Sequence, residues 1–277
     1  MNPAKQFFYH AHGSALGGVI TRPIEKTIED SASATSLPLT GGHSLAKSNG
    51  YKLQHDPKDI ISHTAASTEV SGRNETDGSY TTEITSVVEG LNVYGVVTAD
   101  RIVAHLTSKH NDGGAEGSVV PTGSGFLNLK ISDYPVEVEL DPSLFVENDT
   151  IDKFKKKHKQ DAAFRAMVRK RFLWGDVDKS APDWLQQRYK WVTPPDALPE
   201  SKGIVPCSLV KSIKCNCPGV QIFGNVIIVP EFGKIFLGEI LLKEGARRLT
   251  MMRLEMGSPV GGSVVACDVE GNGTQYP

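Results

Sequence analysis

The chain has 277 residues, and its 39% apolar and 22% charged residues are ordinary proportions for a globular protein with a hydrophobic core. Thirty basic residues stand against 32 acidic ones, which leaves a net charge of −2. This balance excludes proteins that hold nucleic acid or an anionic membrane through their overall charge. We therefore expect no membrane partner, and binding of nucleic acid would require a local basic patch.

The N-terminal half of the chain is predicted to be β structure. A first strand over residues 5–30 alternates small and apolar residues, and Gly17 and Gly18 predict a bulge or a sharp bend in it. Residues 31–49 are rich in Ser, Thr, Ala and Gly and predict a surface loop or a weak edge strand. Further strands are predicted at 81–93, 96–106, 126–131 and 136–140, with a glycine-rich loop at 110–117.

The pattern changes between residues 150 and 200, where we expect a helical insertion. Asp149 or Thr150 is a suitable N-cap for its first helix. A stripe of apolar residues at helical spacing follows, made of Phe164, Met167, Val168 and Phe172. A second, shorter helix is predicted at 182–189, before a Pro-Pro pair ends it.

The C-terminal part returns to strands at Ile204, at 220–229 and in a hairpin. The hairpin is the clearest pattern in the sequence, because 233–242 and 247–256 are two long apolar runs separated by a short break. Residues 257–263 have the glycines of a phosphate-binding loop but neither a lysine nor a following helix. We therefore interpret that segment as an ordinary loop.

Together these elements predict a mainly β protein, an antiparallel β-sandwich or an irregular β-roll. We expect a single β domain over residues 1–277, with the helical insertion at 150–200 inside it. Long strands leave unpaired edges that proteins often cover by self-association. A homo-oligomer is therefore the expected assembly.

The chain shows no features of export. No basic segment followed by an apolar stretch opens it, and no later apolar run approaches about 18 residues. A cytoplasmic protein is expected, with non-classical export as the alternative. The cysteines are Cys207, Cys215, Cys217 and Cys267, and their spacing does not fit a structural zinc knuckle. Free thiols are expected, and one disulfide or a metal or redox site are the alternatives.

His10 and His12 are the sharpest candidates for chemistry. Residues i and i+2 of a strand point to one face, so both imidazoles could approach one metal ion. His43, which follows two glycines, or Asp100 could complete the ligand set. The alternative interpretation is a pair of hydrogen-bonded surface histidines.

Asp100 and Arg101, with Glu89 and His105, offer an acid, a base and an anchor. Adjacent strand residues face opposite ways, however, so these side chains would not act on one substrate from a regular strand. A solvated charge pair or a salt bridge is favoured. Nucleophile elbows, phosphate loops and dinucleotide-binding patterns are absent from the sequence, and we expect no cofactor and assign no catalytic residue.

Basic residues are concentrated in the predicted insertion, between residues 153 and 171. They cover more than one side of a helix and leave only the apolar stripe free. A solvated face, a surface that binds nucleic acid or phosphate, and a subunit contact are the three interpretations. Three tryptophans follow closely, and large aromatics with arginine are typical interface anchors. The candidate interface or anion-binding residues are Lys156, Arg165, Arg169, Arg171, Trp174 and Trp184.

Two segments carry family resemblances. The run TSVVEGLNV at 85–93, leading into VTADRIVA at 97–104, resembles bacterial β-rich surface proteins of the choice-of-anchor type. The opening YHAHG at 9–13 and the closing RRLTMMRL at 247–254 are similar to a set of uncharacterised bacterial proteins. The second resemblance spans most of the chain but implies no activity. Neither resemblance assigns a role to a residue.

The sequence therefore favours a non-enzymatic structural or binding protein that assembles as a homo-oligomer. A metal-dependent hydrolase or oxygenase built around His10 and His12 is the first alternative. A ligand-binding module, for glycans for example, that uses the glycine-rich loops and the tryptophans is the second. Metal content separates the first alternative from the favoured reading, and the second requires exposed aromatic side chains.

Overall fold

The computed structural model describes residues 6–29, 33–55, 57–111, 116–172, 180–188, 198 and 203–276. Most of these residues lie in antiparallel strands, which confirms the predicted mainly β fold and is consistent with a β-sandwich. The strands are β1 Gln6–Arg22, β2 Lys26–Glu29, β3 Ala34–Ser36, β4 Gly42–Ser48, β5 Tyr51–His55, β6 Lys58–His63, β7 Ala65–Asn74, β8 Tyr80–Val93, β9 Val97–His110, β10 Ser118–Val120, β11 Gly125–Leu127, β12 Lys130–Ile131, β13 Tyr134–Leu140, β14 Val205–Ser208, β15 Val210–Cys215, β16 Gln221–Phe223, β17 Val226–Val229, β18 Gly233–Lys243, β19 Ala246–Met256 and β20 Gly261–Tyr276. The helices are α1 Ser143–Val146, α2 Ile151–Gln160, α3 Ala162–Phe172 and α4 Asp183–Arg188.

The strands form two sheets. The first, sheet A, has the order β16-β17-β18-β19-β20-β1-β2, with β14 added to β18 and β3 added to β1. The predicted hairpin is its β18–β19 pair, in which Lys243 lies opposite Ala246. The second, sheet B, has the order β15-β13-β12-β9-β8-β6-β5, and β7 pairs with β8 and carries β4 on its other side.

Alternating side chains bring the two sheets together. Val88 on β8 and Ile102 on β9 lie opposite each other in sheet B, and both are fully buried. From sheet A, the Cys267 thiol donates a hydrogen bond to the carbonyl oxygen of Ile102 at 3.3 Å. At one end, the Phe7 ring of β1 stacks on the Tyr80 ring of β8, with 4.2 Å between the ring centroids. Buried side chains from both sheets form one continuous cluster.

The helices lie where the sequence predicts an insertion. The Thr150 hydroxyl accepts a hydrogen bond from the Lys153 backbone N–H at 3.1 Å, so Thr150 is the N-cap of α2. The Phe154 ring of α2 is fully buried and lies edge-to-face against the Phe164 ring of α3. These aromatic side chains belong to the same buried cluster as the sheets. The insertion is therefore packed into the sandwich rather than attached to its surface.

Two predictions about the strands were wrong, and several strands were missed. The strand β1 continues through Gly17 and Gly18 without the predicted break. Gly18 has φ +147°, and a Cβ there would lie 2.2 Å from the Ser263 carbonyl oxygen of β20. The glycines therefore permit close approach of two strands instead of a bend. The predicted loop at 257–263 extends only to the start of β20 at Gly261. Finally, β5, β6, β7, β15 and most of β20 were not predicted.

Candidate functional site

His10 and His12 lie on one face of β1, as predicted, and both side chains are exposed. Their ring centroids are 5.4 Å apart and the rings are inclined by 72°. Across the ladder, His10 lies opposite Asn272 and His12 opposite Glu270 on β20. The two imidazoles are thus adjacent and open to solvent, the arrangement in which two strand histidines could share an ion.

His43 lies on β4, in sheet B, and is engaged elsewhere. Its Nε2 is 2.8 Å from Oε1 of Glu69 on the neighbouring strand β7, and both side chains are exposed. Within the residues that the structure describes, no three His, Cys, Asp or Glu side chains are grouped so that they could hold a metal ion. A metal site that uses His10, His12 and His43 stays a prediction.

The charged residues of β8 and β9 form a surface pair. Arg101 Nε lies 3.8 Å from Oε1 of Glu89, its cross-strand partner, and both side chains are half exposed. Asp100 instead accepts a hydrogen bond from the Asn128 amide at 2.6 Å. The favoured salt bridge between neighbouring strands is therefore present, and Asp100 points away from it.

His105 is held by two hydroxyl groups on sheet B. Its Nδ1 is 2.8 Å from Thr85 Oγ1, and its Nε2 is 3.0 Å from Thr107 Oγ1. Burial lowers the pKa of His105, an effect that the nearby Glu83 carboxylate partly opposes. A neutral imidazole has one donor and one acceptor, so both hydroxyl contacts fit the neutral form.

The outer face of sheet A carries a series of ion pairs, which we call the charged ladder. Its members are Lys243–Glu270 at 2.9 Å, Arg248–Asp268 at 2.7 Å, Arg253–Glu239 at 2.6 Å and Lys234–Glu255 at 3.7 Å. The Thr250 hydroxyl also donates to Asp268, at 2.6 Å. The Asp268 hydrogen bonds raise the pKa of Arg248. Each cation of the ladder is therefore neutralised within the sheet.

The candidate basic residues of the insertion have different environments. Arg171 is almost buried and donates from Nη2 to Asp141 at 2.6 Å, so it belongs to an internal ion pair. Lys156 is exposed on α2, and Arg169 is half buried on α3. Arg165 donates from Nη1 to the carbonyl oxygens of His158 and Lys159. Only some of the predicted interface residues therefore face solvent.

Trp184 is half buried, and the other two tryptophans of the insertion lie outside the described residues. Trp184 of α4 packs on sheet A, 6.4 Å from the Phe236 ring centroid, and the Lys234 ammonium lies 3.9 Å above its ring. Trp174 and Trp191 lie outside the residues that the structure describes. Trp184 thus anchors α4 to the charged ladder, and its role in a subunit contact stays a prediction.

A basic pocket of about 290 Å³ lies at the junction of α2 and α3. Its described lining residues are Lys155, His158, Lys159, Arg165 and Leu198. Of these, Arg165 was among the predicted anion-binding residues. The helical spacing of Lys155, His158 and Lys159, at i, i+3 and i+4, was the available sign that they share a face. Leu198 had no such sign.

A larger, mostly apolar cleft of about 680 Å³ opens at the end of β1 and β20. It is lined by Gln6, Phe8, Tyr9, His10, Leu39, Thr274 and Tyr276. Leu39 and Tyr276 are 59% and 56% exposed. The Phe8 and Tyr276 rings meet edge-to-face at 5.4 Å. The cleft thus presents aromatic faces with His10 at its rim.

Arg247 was missed by the sequence analysis and is the largest fully buried side chain that the structure describes. Its Nη2 donates to the Asp149 carbonyl oxygen at 3.0 Å, and its Nη1 donates to the Lys243 and Ala246 carbonyl oxygens. Burial lowers the pKa of Arg247 to about 10, and the Glu116 carboxylate opposes this effect. The only sequence sign was its alternation with Leu249, which points into the core.

The half-buried Glu116 completes this cluster. Its Oε1 accepts hydrogen bonds from the backbone N–H groups of Ile151, at 2.7 Å, and Gly245, at 3.3 Å. Ile151 is the first residue of α2, and Gly245 lies in the turn between β18 and β19. Glu116 and Arg247 therefore tie the start of the helical insertion to the hairpin of sheet A.

All four cysteines carry free thiols, as expected. Cys207 and Cys267 are buried, and Cys215 and Cys217 are half buried. Burial raises the pKa of Cys267 to about 12 and that of Cys207 well above its usual range. Because the thiolate is the reactive form, neither buried thiol is suited to nucleophilic chemistry.

Comparisons with known proteins give a family but no activity. In the described part of the chain, no helix is both long and apolar enough to cross a membrane. No curated protein and no solved structure matches the chain, and nothing supports the resemblance to choice-of-anchor proteins. One family model, described as a domain of unknown function (DUF8256), matches residues 7–243. The uncharacterised family predicted from the sequence is thereby confirmed, and the chain belongs to the DUF8256 family.

Proposed function

We propose that this protein is a non-enzymatic binding or structural protein that assembles as a homo-oligomer and uses its helical insertion as the contact surface. The observation that carries the proposal is the buried attachment of α2 to sheet A through Arg247 and Glu116. The proposal includes the bacterial origin implied by the sequence resemblance. The four free thiols support its expected location in a reducing compartment.

The attachment joins two regions that are distant in the chain. Arg247 of β19 bonds the carbonyl oxygen of Asp149, 98 positions earlier, and Val119 of β10 donates to the same oxygen at 2.9 Å. Glu116 bonds the first turn of α2 and the hairpin turn at once. The helix is therefore fixed at its N-terminus while its basic side chains extend outward.

Burying the Arg247 cation in order to hold α2 costs free energy of folding. Because the pKa of Arg247 is lower in the folded chain than in water, its charged form is less favourable there, and this lowers stability at neutral pH. Apolar residues in place of both Arg247 and Glu116 would avoid that penalty, whereas replacing Arg247 alone would leave its partners unsatisfied. Retaining Arg247 is best explained by the position it gives to α2. A helix held so firmly, with cations outward, is suited to binding a partner.

The first experiment is to purify the full chain without an affinity tag and measure its mass by light scattering. We expect a defined oligomer. The charge reversals Lys156→Glu and Lys170→Glu, both on exposed positions of the insertion, should shift it toward smaller species. The control is Lys214→Glu, whose side chain is 77% exposed on β15 and carries the same change in charge. A strict monomer, or an equal effect of the control, would contradict the proposal.

Metal analysis of the same sample tests the first alternative. A stoichiometric transition metal that is lost from the His10→Ala and His12→Ala variants would favour a metal-dependent enzyme over a scaffold. The two adjacent, exposed imidazoles are the observation behind that alternative. A metal-free oligomer would leave the proposal standing.

A second candidate function is saccharide binding at the apolar cleft. Sugars stack their C–H faces on exposed aromatic rings and bond to polar groups at the rim. Tyr276 and Phe8 supply the rings, and Gln6, His10 and Thr274 supply polar groups. This candidate places the ligand on tyrosine and phenylalanine, not on the tryptophans that the sequence suggested. The test is a glycan array with the Tyr276→Ala variant as the comparison.

A further inference from the structure

We infer that the interior of the sandwich binds ordered water between the hydroxyl groups of Thr82 and Ser108, close to the end of the β8–β9 pair. The inference goes beyond the proposed function, because it concerns the core and not the surface of the insertion. Its basis is a group of buried polar atoms without a hydrogen-bond partner in the part of the chain that the structure describes, namely Thr82 Oγ1, Ser108 Oγ and His110 Nε2.

These three residues form one polar row on the inner face of sheet B. Thr82 on β8 lies directly opposite Ser108 on β9, and His110 is the next residue of β9 on the same face. Thr82 and Ser108 are fully buried, and His110 is 7% exposed. The row is therefore out of contact with bulk water, so any further partner must lie inside the sandwich.

A second pair of hydroxyl groups on the same face is satisfied within the protein. Thr68 on β7 lies opposite Ser86 on β8, and their hydroxyl oxygens are 3.0 Å apart. Thr82 and Ser108 are opposed in the same way but do not bond each other. Directly opposed strand residues have Cβ atoms about 4.5 to 5.5 Å apart, so two hydroxyl groups that point away from each other leave a gap that one water can bridge.

The chemistry of the row favours water over an ion. Nearly all buried polar groups in folded proteins have a protein or water partner, and one that lacks it destabilises the fold. Two hydroxyl groups and an imidazole nitrogen can supply the two to four hydrogen bonds that a buried water needs. Burial lowers the pKa of His110, so the row carries no charge at neutral pH. An uncharged molecule that both donates and accepts therefore matches it.

The packing around the row suits a molecule of this size. Gly72 on β7 is the cross-strand neighbour of Thr82, so the positions from Gly72 to Ser108 cross three strands without a large side chain. Close contacts cover both ends of the row. A Cβ on Gly72 would lie 2.6 Å from Tyr9 Cδ1, and a Cβ on Gly117 would lie 2.2 Å from His110 Nε2. The two hydroxyl groups between these contacts are the place for one small polar molecule.

The direct test is detection of internal water by NMR in the full chain. Cross-relaxation between water and a side-chain proton has the sign of a long-lived contact only where the protein holds the water. We expect this signal at the Thr82 methyl group and not at the Thr68 methyl group, whose hydroxyl bonds Ser86. Thr68 is the internal control, because proton exchange from a hydroxyl group would affect both methyl groups. Absence of the signal at Thr82, or an equal signal at Thr68, would overturn the inference.

Stability measurements test the inference by the sign of an effect. Thr82→Val replaces the hydroxyl group by a methyl group of similar size. If water is bound, the variant loses a satisfied hydrogen bond, and we expect the folding equilibrium constant from urea denaturation to fall about fivefold. Thr68→Val is the matched control and should fall similarly, because it breaks the bond to Ser86. A rise for Thr82→Val would mean that an unsatisfied hydroxyl had been removed, and it would overturn the inference. The NMR signal of the wild type decides the question if a variant does not fold.

Discussion

The outer face of sheet A and the helical insertion both carry many charged residues, but they arrange them differently. On the charged ladder, Arg248 meets Asp268 at 2.7 Å and Arg253 meets Glu239 at 2.6 Å, with oppositely charged residues on neighbouring strands. On the insertion, Lys159 and Arg165 line one pocket, and no carboxylate is among its described lining residues. The ladder and the insertion have similar numbers of charged residues but differ in how these residues are paired.

The difference follows from what each region packs against. The ladder lies on strands whose opposite face forms the core, so cross-strand pairs of unlike charge add to sheet stability. The buried Phe154 ring and the hydrogen bonds of Arg247 and Glu116 hold the inner side of the insertion. Its outer face is therefore not needed to hold it in place. Because the outer face of the insertion does not stabilise the fold, its charges can stay unbalanced and available to a ligand.

The largest expected effect comes from removing β19 and β20, two of the three strands that carry the charged ladder. The DUF8256 match ends at residue 243, at the end of β18, yet β19 and β20 lie between β18 and β1 in sheet A. A chain truncated after residue 243 would leave β18 and β1 without the strands that pair with them and would expose their buried side chains. We expect no cooperative unfolding transition by circular dichroism. A truncated chain that still unfolds cooperatively would show that the matched segment folds alone.

The next largest effect comes from removing the Arg247 side chain, which attaches the insertion to sheet A. Arg247→Met should lower the free energy of unfolding by about 3 kcal/mol, because it leaves Glu116 and three carbonyl oxygens without their buried cation. Urea denaturation measures the change. Hydrogen exchange should show faster exchange in α2 than in the wild type, with little change in β8. The Arg247→Lys control retains a charge but loses the fork of N–H donors, and it should lie between the two.

A smaller effect tests the ladder. Asp268→Asn should cost about 1.5 kcal/mol, because the carboxylate accepts charge-assisted bonds from Arg248 and a bond from Thr250 at a side chain that is only 17% exposed. Glu137→Gln is the control, since Glu137 is 76% exposed and lies 3.6 Å from its lysine. It should change stability by less than about 0.5 kcal/mol. Equal effects would mean that the ladder contributes no more than an isolated surface pair.

The sequence was sufficient for the regular parts of this fold. The β18–β19 hairpin and the β8–β9 pair were predicted within a few residues, because their apolar residues are frequent and alternate regularly. It failed for β20, where glycines indicated a loop. Gly262, one of these glycines, is required by close packing, since a Cβ there would lie 2.2 Å from the Val19 carbonyl oxygen. Later in the same strand, a Cβ at Gly273 would lie 2.2 Å from the Phe7 ring. Such approaches depend on the partner strand, which local patterns do not contain.

The candidate site was predictable to a lesser degree. The basic character of the insertion and Arg165 were found from composition, and helical spacing indicates that Lys155 and Lys159 share a face. Arg171 pairs with Asp141 inside the protein instead of facing a partner, and Asp141 lies 30 positions earlier, directly after β13. Arg247 was hidden for the same reason, because its partners come from the insertion and the hairpin together.

The smallest effect is the dependence of stability on pH, and it lies outside both charged regions. Burial lowers the pKa of His110, which packs against Phe7 with ring centroids 5.1 Å apart, and burial also lowers the pKa of His105. Above about pH 7.5, well above the usual histidine pKa, both histidines are neutral in the folded and unfolded chain, so they add no pH dependence there. Below that value the unfolded chain binds protons first, and the free energy of unfolding falls as the pH decreases.

The measurement is the thermal midpoint between about pH 7.5 and 5, a range in which the carboxylates of the ladder remain charged. We expect the wild type to lose stability as the pH falls and the His110→Phe variant to lose less, because phenylalanine cannot take up a proton. His55→Gln, at an exposed position on β5, should follow the wild type. If His110→Phe showed the same slope as the wild type, the acid sensitivity would come from the charged surfaces, and the contrast between a neutral ladder and a basic insertion would have to include their protonation.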